Sequence, residues 1–579
     1  MIARILLALS LLAPAWVHAA DVNVQAPDEV RKLVERVLRQ WEAPTPPRDA
    51  IAVQRAVVQA RRLVTDALAV EGWFSPTVTL EDAGDTLRVA VDPGPRTRVA
   101  AVDIEFAGAI ADPPEQWAEG EARRAALRES WGLKPGEPFR QEDWNRAKRD
   151  LLNTLLSEDF AVAELEETQA TVDADTSEAR LRVRVDSGPR FALGEIRIEG
   201  LQDYDRALIE RYGRLRPGDP FRAERLLSLQ SALQNTPYFS SVTVEIERDP
   251  GLAAAAPVTI RVVEALPKRT SVGLGVSSDT GPRGEVVWRH VNFFDRAWQA
   301  EAGVRIEQRR QLGFATLQRP PRPDGAIDAL NSIGERTDIE NLRLQRVLIG
   351  VSRTRLRQAQ VGTVETRLSF DYQRELTRIP GENEQQLNAL TANWSWTRRA
   401  LDNVLDPRQG TLLNFQVGGG TRRLLSDQDF LRLLVRAQRF WQVTPADSII
   451  VRMLAGWTIA PSREGIPQSF LFRTGGAQTV RGYPFESIGV RDGQAVVGGR
   501  YLLAGSAEYV RWFGEERRWG AAVFMDAGDA FDARDAFRPA VGYGVGARWR
   551  SPLGPLAVDL AYGHEIRRFQ IHLSFAVAF

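Results

Sequence analysis

The chain has 579 residues, 75 of them basic and 75 acidic, and it contains no cysteine. This length is too great for one ordinary hydrophobic core, so we expect several domains. The balanced charge argues against a dedicated nucleic-acid-binding surface, and the absence of cysteine excludes disulfides and thiol chemistry.

The first residues have the pattern of an export signal. Arg4 precedes a mostly apolar run over residues 5–17, and Ala19 completes a small-residue cleavage site. We therefore predict a signal peptide over 1–19. No later segment has the roughly 18 apolar residues that a transmembrane helix needs.

Residues 20–266 combine helical and strand patterns that recur. The hexapeptide PGEPFR at 135–140 returns as PGDPFR at 217–222. Each copy leads into a helical pattern, over 143–156 and 223–235, and two strand patterns follow. A repeat of this kind predicts duplicated modules.

Residues 21–95 show the same order of patterns without the hexapeptide. The chain therefore predicts three α+β modules of the form β-α-α-β-β, at 20–95, 96–188 and 189–266. Helices packed on one face of a small sheet are the natural layer arrangement for such a module.

From about Lys268 onward, strict alternation replaces the helical patterns. Apolar residues alternate with polar or small ones, as at Leu390, Ala392, Trp394 and Trp396, and at Val541, Tyr543, Val545, Ala547 and Trp549. Runs of about ten such residues are typical of transmembrane barrel strands, which must close because lipid satisfies no backbone group. We predict an antiparallel transmembrane β-barrel over 267–579, with extracellular loops at 319–338 and 381–386. A soluble β-sandwich explains neither so many long strands nor the terminal Phe579.

One short stretch carries the candidate functional residues of the barrel. Val480, Arg481, Gly482 and Tyr483 lie between strand-like runs, and a planar guanidinium suits bidentate contact with a carboxylate. The glycine permits a tight turn. We predict that this loop folds into the barrel lumen.

The partners of Arg481 are predicted from the alternation of the following strands. Phe524, Asp526 and Gly528 share the inner face, so Asp526 is the expected carboxylate and Gly528 leaves room beside it. Glu508, in the inward register of the preceding strand, is a possible second acceptor.

Tandem modules followed by a barrel resemble the POTRA domains and barrel of the BamA/TamA superfamily. Residues 480–483 match the sixth-loop motif of that superfamily, and the segment FMDAG at 524–528 matches its inward strand motif. Residues 270–283 resemble the opening strand of TamA-type members, the outer-membrane subunits of the translocation and assembly module. Three modules also favour the TamA type. The last eight residues resemble the C-terminal insertion signal, but Ser574 stands where that pattern usually has glycine.

The resemblance implies a 16-stranded barrel in the bacterial outer membrane with periplasmic N-terminal domains. It implies insertion or translocation of proteins without covalent chemistry, nucleotide or cofactor. The implied partners are a TamB-like periplasmic protein on the POTRA modules, client outer-membrane proteins and outer-membrane lipid, with no nucleic acid. The implied mechanism is a weak lateral seam between the first and last strands, lined by Val272, Leu274, Val276, Phe575, Val577 and Phe579.

Three alternatives remain open at the level of sequence. A BamA-type general insertase normally has five modules, and a two-partner secretion pore has two modules with an N-terminal plug helix. An enzyme such as a patatin-like lipase on a POTRA barrel needs a G-x-S-x-G nucleophile elbow, which the chain lacks. His290, His564 and His572 show no metal-ligand spacing, so we expect neither a metal site nor an enzyme.

Overall fold

The computed structural model describes residues 21–39, 41, 50–82, 86–112, 120–322, 324–551 and 554–575. The predicted signal peptide and the seam residues Val577 and Phe579 lie outside these ranges, and only the backbone of Phe575 is described. Within these ranges, no helix is long and apolar enough to cross a membrane.

In the N-terminal part of the chain, the order strand, helix, helix, strand, strand occurs three times. The elements are β1 (Asp21–Gln25), α1 (Asp28–Arg39), α2 (Ala50–Val70), β2 (Thr77–Asp82), β3 (Thr86–Asp92), β4 (Arg98–Ala107), α3 (Gly120–Glu129), α4 (Gln141–Ser157), β5 (Glu164–Asp173), β6 (Glu178–Asp186), β7 (Leu193–Glu199), α5 (Arg206–Glu210), α6 (Ala223–Gln234), β8 (Phe239–Ile246) and β9 (Ala256–Glu264). The predicted mixed α+β modules are therefore confirmed, whereas their limits at residues 95, 188 and 266 stay predictions.

Each module builds a three-stranded sheet with its last strand in the centre. The strand orders are β1-β3-β2, β4-β6-β5 and β7-β9-β8. In the first two sheets the opening strand pairs in parallel, because two helices separate it from its partner, and the closing strands form an antiparallel pair. The helices bury apolar side chains such as Leu68 and Leu155 against these sheets.

The repeated hexapeptide makes the same bonds in both copies. Gly136 and Gly218 have φ angles of +88° and +89°, a conformation that favours glycine. Their backbone N–H groups donate to Val99 at 2.8 Å and to Leu193 at 2.7 Å. The phenylalanine of each copy is buried. The motif is therefore a structural turn that ties the entrance of a helix to the opening strand of its module.

The C-terminal part of the chain is one 16-stranded sheet in which consecutive strands are antiparallel neighbours. The elements are β10 (Lys268–Ser277), β11 (Gly281–Phe293), β12 (Trp298–Glu307), β13 (Arg310–Gln318), β14 (Ala326–Ile339), β15 (Leu342–Gln358), β16 (Thr363–Arg378), β17 (Gln385–Leu401), β18 (Gly410–Gly420), β19 (Phe430–Gln442), β20 (Asp447–Ile459), the short loop strands β21 (Val490–Asp492) and β22 (Ala495–Val497), β23 (Tyr501–Phe513), β24 (Trp519–Phe531), β25 (Ala540–Ser551), β26 (Gly554–Gly563) and β27 (Arg568–Phe575). The predicted barrel with 16 strands is confirmed.

The barrel has two distinct ends. The hydroxyl of Tyr238, in the third module, donates to the carbonyl of Ala297, in the connection between β11 and β12. We call the end of the barrel that carries this connection the module end. Gln299 in turn donates to the Tyr238 hydroxyl at 2.9 Å. Because antiparallel connections alternate, 319–325 lies at the same end. Connections 278–280, 379–384 and 460–500 lie at the opposite, outer end.

The prediction that 319–338 is an extracellular loop is wrong. Only 319–325 connects two strands, and it does so at the module end, whereas 326–338 belongs to β14. The polar residues of β14 misled the prediction because its inner face carries a buried carboxylate. Glu335 accepts hydrogen bonds from Arg310 at 2.7 Å and from Arg346 at 2.5 Å inside the barrel.

Candidate functional site

The connection between β20 and β23, residues 460–500, is the longest in the barrel and folds over its outer end. The backbone N–H of Gln468 donates to Glu375 Oε1 at 2.5 Å, and that of Val496 donates to the carbonyl of Glu340 at 3.1 Å. The hairpin of β21 and β22 packs its buried Ala495 and Val497 against the wall. These contacts hold the base of the loop and direct residues 477–483 into the lumen.

Glycine allows this loop tip to lie directly against the barrel wall. Gly482 has a φ of +92°, and a Cβ there would lie 2.7 Å from the backbone nitrogen of Gly563. On the wall side, a Cβ on Gly542 would lie only 1.8 Å from the carbonyl oxygen of Arg481. Side chains at either position would prevent the approach of the two backbones.

Arg481 and Asp526 form a bidentate ion pair inside the barrel. Arg481 Nε donates to Asp526 Oδ2 at 2.7 Å, and Nη2 donates to Oδ1 at 2.8 Å. The backbone N–H of Arg481 also donates to Oδ2 at 3.0 Å. Asp526 has no exposed surface and Arg481 is 3% exposed, so the pair is shielded from bulk water. Three charge-assisted contacts to one carboxylate fix both the position and the orientation of the loop tip.

Four further wall residues surround the same guanidinium. Arg481 Nη1 donates to Glu508 Oε2 at 2.7 Å and to Asp559 Oδ2 at 3.1 Å, and Nη2 donates to Ser506 Oγ at 3.3 Å. The guanidinium carbon lies 3.4 Å from the centroid of the Phe524 ring, in cation–π geometry. The side chain therefore meets β23, β24 and β26 at once.

A second arginine balances the additional carboxylates. Arg548 Nε donates to Glu508 Oε1 at 2.9 Å, and its Nη1 donates to Asp559 Oδ1 at 2.5 Å. Arg452 lies 3.7 Å from Glu508. Three arginines thus face the three carboxylates Glu508, Asp526 and Asp559, which makes the cluster neutral overall. Buried charges are tolerated only when they are paired in this way. We refer to these six residues as the arginine–carboxylate cage.

The structure places the residues singled out by sequence as follows. It brings Arg481 together with Asp526, Glu508 and Phe524, and it packs Val480 and Tyr483 with Ala504 and Ala540. A Cβ on Gly528 would lie 3.0 Å from a Val480 methyl group, so Gly528 makes room for Val480.

Sequence reasoning missed Asp559, Arg548, Ser506 and His572. Asp559 is a single acid in the apolar alternation of β26, and Arg548 shares the inner register of Gly542, Gly544 and Gly546. An isolated charged residue at an inward position of a strand could therefore have indicated a partner of Arg481.

The loop tip also links the two edges of the sheet. The backbone N–H of Gly482 donates to His572 Nε2 on the last strand at 2.9 Å. Five residues earlier, the N–H of Ala477 donates to Asp279 Oδ1, in the turn that follows the first strand, at 3.1 Å. Burial raises the pKa of the Asp279 carboxyl, and the hydrogen bond from Ala477 opposes that rise. Residues 477–482 therefore span the gap between β10 and β27 from inside the lumen.

No backbone ladder joins β10 to β27 among the residues described for the barrel. The side chain of Ser278 joins the two strands directly. Its hydroxyl accepts a hydrogen bond from the N–H of Leu573 at 3.1 Å and donates one to the carbonyl of Leu573 at 3.4 Å. Val272, Leu274 and Val276 are 74%, 89% and 68% exposed, so their side chains point away from the lumen.

Comparisons with known proteins agree with this architecture. Residues 292–576 match the Omp85 superfamily domain. The barrel is thus similar to the Omp85 superfamily domain over nearly its whole length. Residues 191–265 match the POTRA family, described as the surface antigen variable number repeat. A barrel of this type that follows POTRA modules lies in the outer membrane, with the modules in the periplasm. The module end of the barrel is therefore its periplasmic end.

Individual relatives resemble the chain at low sequence identity. The outer membrane protein assembly factor BamA of Nitratidesulfovibrio vulgaris is 23% identical over 515 residues, which are 85% of this chain and 62% of that protein. The chain thus spans less than two thirds of the length of this relative. The crystal structure of BamA from Haemophilus ducreyi lacking POTRA domains 1–3 superimposes with a TM-score of 0.67 at 15% identity, covering 83% of this chain and 98% of that one. CdiB from Acinetobacter baumannii gives a TM-score of 0.43 at 13% identity, covering 91% and 98%.

The cage predicts graded effects of substitutions at Arg481. Arg481→Ala strands buried carboxylates and should lower the free energy of unfolding by about 3–5 kcal/mol. Arg481→Lys keeps the charge without the fork and should recover only part of that loss. Heat-modifiable mobility and urea denaturation of the purified barrel measure the effect. Arg491→Ala, at an exposed arginine of the same loop, is the control, and equal stability of the Arg481→Ala and Arg491→Ala proteins would contradict the cage.

A glycine substitution tests the docking of the loop tip without changing any charge. Gly542→Ala leaves every ionised group in place, but the new Cβ would collide with the carbonyl oxygen of Arg481. It should therefore displace the loop tip and speed tryptic cleavage within 460–500. Gly505→Ala is the matched control, since a Cβ there has its nearest neighbour at 3.8 Å. Equal cleavage rates for the two variants would show that close docking of the tip does not protect the loop.

Proposed function

We propose that the protein promotes the insertion or translocation of client outer-membrane proteins, as a TamA-type factor that acts with a TamB-like periplasmic partner. The observation that carries this proposal is the seam between β10 and β27, where the described residues form no backbone ladder and the loop tip bridges the two strands from inside. An edge strand presents free N–H and C=O groups to any chain that can add a strand. A client strand can therefore pair with the barrel wherever the seam separates.

The contacts of the loop tip determine which strand can separate at this seam. Glu508, Asp526 and Asp559 hold the loop tip on β23, β24 and β26, and His572 holds it on β27. On the other side of the seam, the described contact of the tip is the single hydrogen bond from Ala477 to Asp279. Loss of that bond and of the Ser278 contact removes the described hydrogen bonds that join β10 to the loop tip and to the last strand, while the loop stays attached to β23, β24, β26 and β27. The asymmetry of the contacts favours opening at this seam.

The TamA type is favoured over the other members by the number of modules. Residues 21–266 hold three β-α-α-β-β modules, the number that the resemblance associates with TamA-type proteins. The second candidate is a BamA-type general insertase, which the similarity to BamA proteins of two organisms supports. The two candidates differ in their partner, so recovery of a long periplasmic protein with the purified chain distinguishes them.

The seam can be tested by a reversible crosslink. The contact between Ser278 and Leu573 sets an antiparallel register in which Val276 faces Phe575, two residues further along each strand. Because the chain has no cysteine, the double variant Val276→Cys with Phe575→Cys introduces the only thiols. Oxidation should lock the seam and abolish assembly of a β-barrel client into proteoliposomes, and a reductant should restore it.

The matched control is Val272→Cys with Val286→Cys. These residues lie directly opposite each other within the β10–β11 ladder, so a crosslink there leaves the seam free. This variant should keep its activity when oxidised. Full client assembly by the locked Val276–Phe575 variant would exclude lateral opening as the mechanism.

The partner is tested by removal of the first module. Deletion of 21–95 leaves all 16 barrel strands in place, so the barrel should still insert and run heat-modifiably. Co-purification of the TamB-like partner from membranes should fall strongly, while the seam-locked barrel should retain it. Unchanged recovery of the partner after the deletion would place the docking surface elsewhere on the chain.

A further inference from the structure

The periplasmic half of the lumen contains a cavity of about 530 Å³ below the loop tip. Arg481 and the rest of the tip form its outer limit, and the connection 402–409 lines it at the periplasmic end. One side is the arginine–carboxylate cage. The second side, which adjoins the cage where β20 pairs with β23, is formed by β17 to β20 and presents hydrogen-bond donors such as Asn414, Gln416 and Gln438. The two sides differ in charge.

Two arginines that line the cavity keep hydrogen-bond donors that no described residue uses. Arg436 of β19 lines the cavity, and none of the described residues forms a hydrogen bond or ion pair with it. Arg452 of β20 lies 3.7 Å from Glu508 Oε2, but that oxygen already accepts from Arg481 at 2.7 Å. Among the described residues, Arg436 thus has no counter-charge, and Arg452, which has only the long ion pair to Glu508, keeps its hydrogen-bond donors for a ligand.

These two arginines are close enough to act on one ligand. In the β19–β20 ladder, Arg436 is opposite Leu454 and Arg452 is opposite Gln438, so the two arginines are diagonal neighbours on the inner face. Diagonal neighbours in an antiparallel pair lie about 7–8 Å apart, within reach of long side chains. Gln438 lies between them and can donate to the same ligand.

The described acids that line the cavity are already engaged, Glu508 and Asp559 by Arg481 and Arg548, and Asp406 by Arg550. β18 and β19 contain no aspartate or glutamate, and β20 has only Asp447 at its first residue. Asp447 is engaged by the Tyr509 hydroxyl at 2.6 Å and by Arg511 at 3.1 Å. Arg436 is then a charge without a described counter-charge, and low-dielectric walls strengthen its attraction for an anion in the enclosed space.

We propose that this cavity is a binding site for a phosphate-type oxyanion held by Arg436 and Arg452. A doubly charged tetrahedral group matches two planar guanidinium forks in charge and in hydrogen-bonding capacity. The amide of Gln438 completes the set of donors. The phosphate is either free in the periplasm or the headgroup of a lipid. The site does not depend on the proposed function, because it uses neither the seam nor the modules.

Direct binding tests the site on the full-length protein in dodecyl maltoside. In the first arm, equilibrium dialysis measures binding of radiolabelled inorganic pyrophosphate. In the second arm, gel filtration measures retention of dioleoyl phosphatidic acid, with diacylglycerol as the phosphate-free control. Binding of pyrophosphate identifies a free anion as a sufficient ligand, and binding of phosphatidic acid alone identifies a lipid headgroup. Either result supports the site, and binding of neither probe overturns it.

Substitutions locate the binding. Arg436→Gln with Arg452→Gln should weaken it by about tenfold or more, since charge-assisted bonds to two guanidinium groups are lost. The corresponding double lysine variant should be intermediate. Arg439→Gln is the matched control on the same strand, because Arg439 lies in the opposite register near Trp441 and should leave binding unchanged.

A folding control accompanies these variants. Arg436 forms no hydrogen bond or ion pair with the residues that the structure describes, so Arg436→Gln alone should keep heat-modifiable mobility and still weaken binding. Equal affinity of the wild type, the Arg436→Gln protein and the double glutamine variant would overturn the assignment of these arginines.

Discussion

The structure of the barrel depends on one buried guanidinium that is shared between carboxylates of three strands. Asp526, Glu508 and Asp559 come from β24, β23 and β26, and Arg481 reaches all of them from a loop. Removal of charges from water is costly unless each meets a partner, so the loop and the wall stabilise each other and neither is satisfied alone. The glycines at 482 and 542 follow from this constraint, because the backbone must approach the wall before the side chain can reach its partners.

The same constraint distributes stability unevenly around the barrel. The last strands are joined by their ladders and by the cage, whereas the described residues of β10 and β27 meet through Ser278 and through the loop tip. The position of weakest pairing is therefore also the position that the loop spans from inside. This arrangement connects the electrostatics of the lumen to the seam through which a client strand can pair with the barrel. The lumen also contains Arg436, which no described carboxylate neutralises, and Arg452, whose ion pair with Glu508 is the longest in the cage.

Much of the architecture follows from local patterns in the sequence. The hexapeptide repeat indicated duplicated modules because each copy places a glycine at a positive φ and buries a phenylalanine. The alternation over 541–549 indicated a membrane strand because adjacent side chains must face lipid and lumen in turn. The pairing of Arg481 with Asp526 could be predicted because both residues belong to recognisable motifs and the register around Asp526 points inward. These features depend on a few neighbouring residues, so the sequence is sufficient to determine them.

The remaining features depend on contacts between distant residues, which only the tertiary structure decides. Asp559 lies 78 residues from Arg481 and is one acid in an apolar run, so nothing local marks it as a partner. The misassignment of 319–338 has the same origin, because Glu335 looks like a loop residue until Arg310 and Arg346 are seen beside it. Composition and periodicity determined which side chains face inward. The closure of 16 strands determined which inward charges meet, and therefore which are neutralised and which stay free, because a charge acquires its partner only when the register of every intervening strand is set.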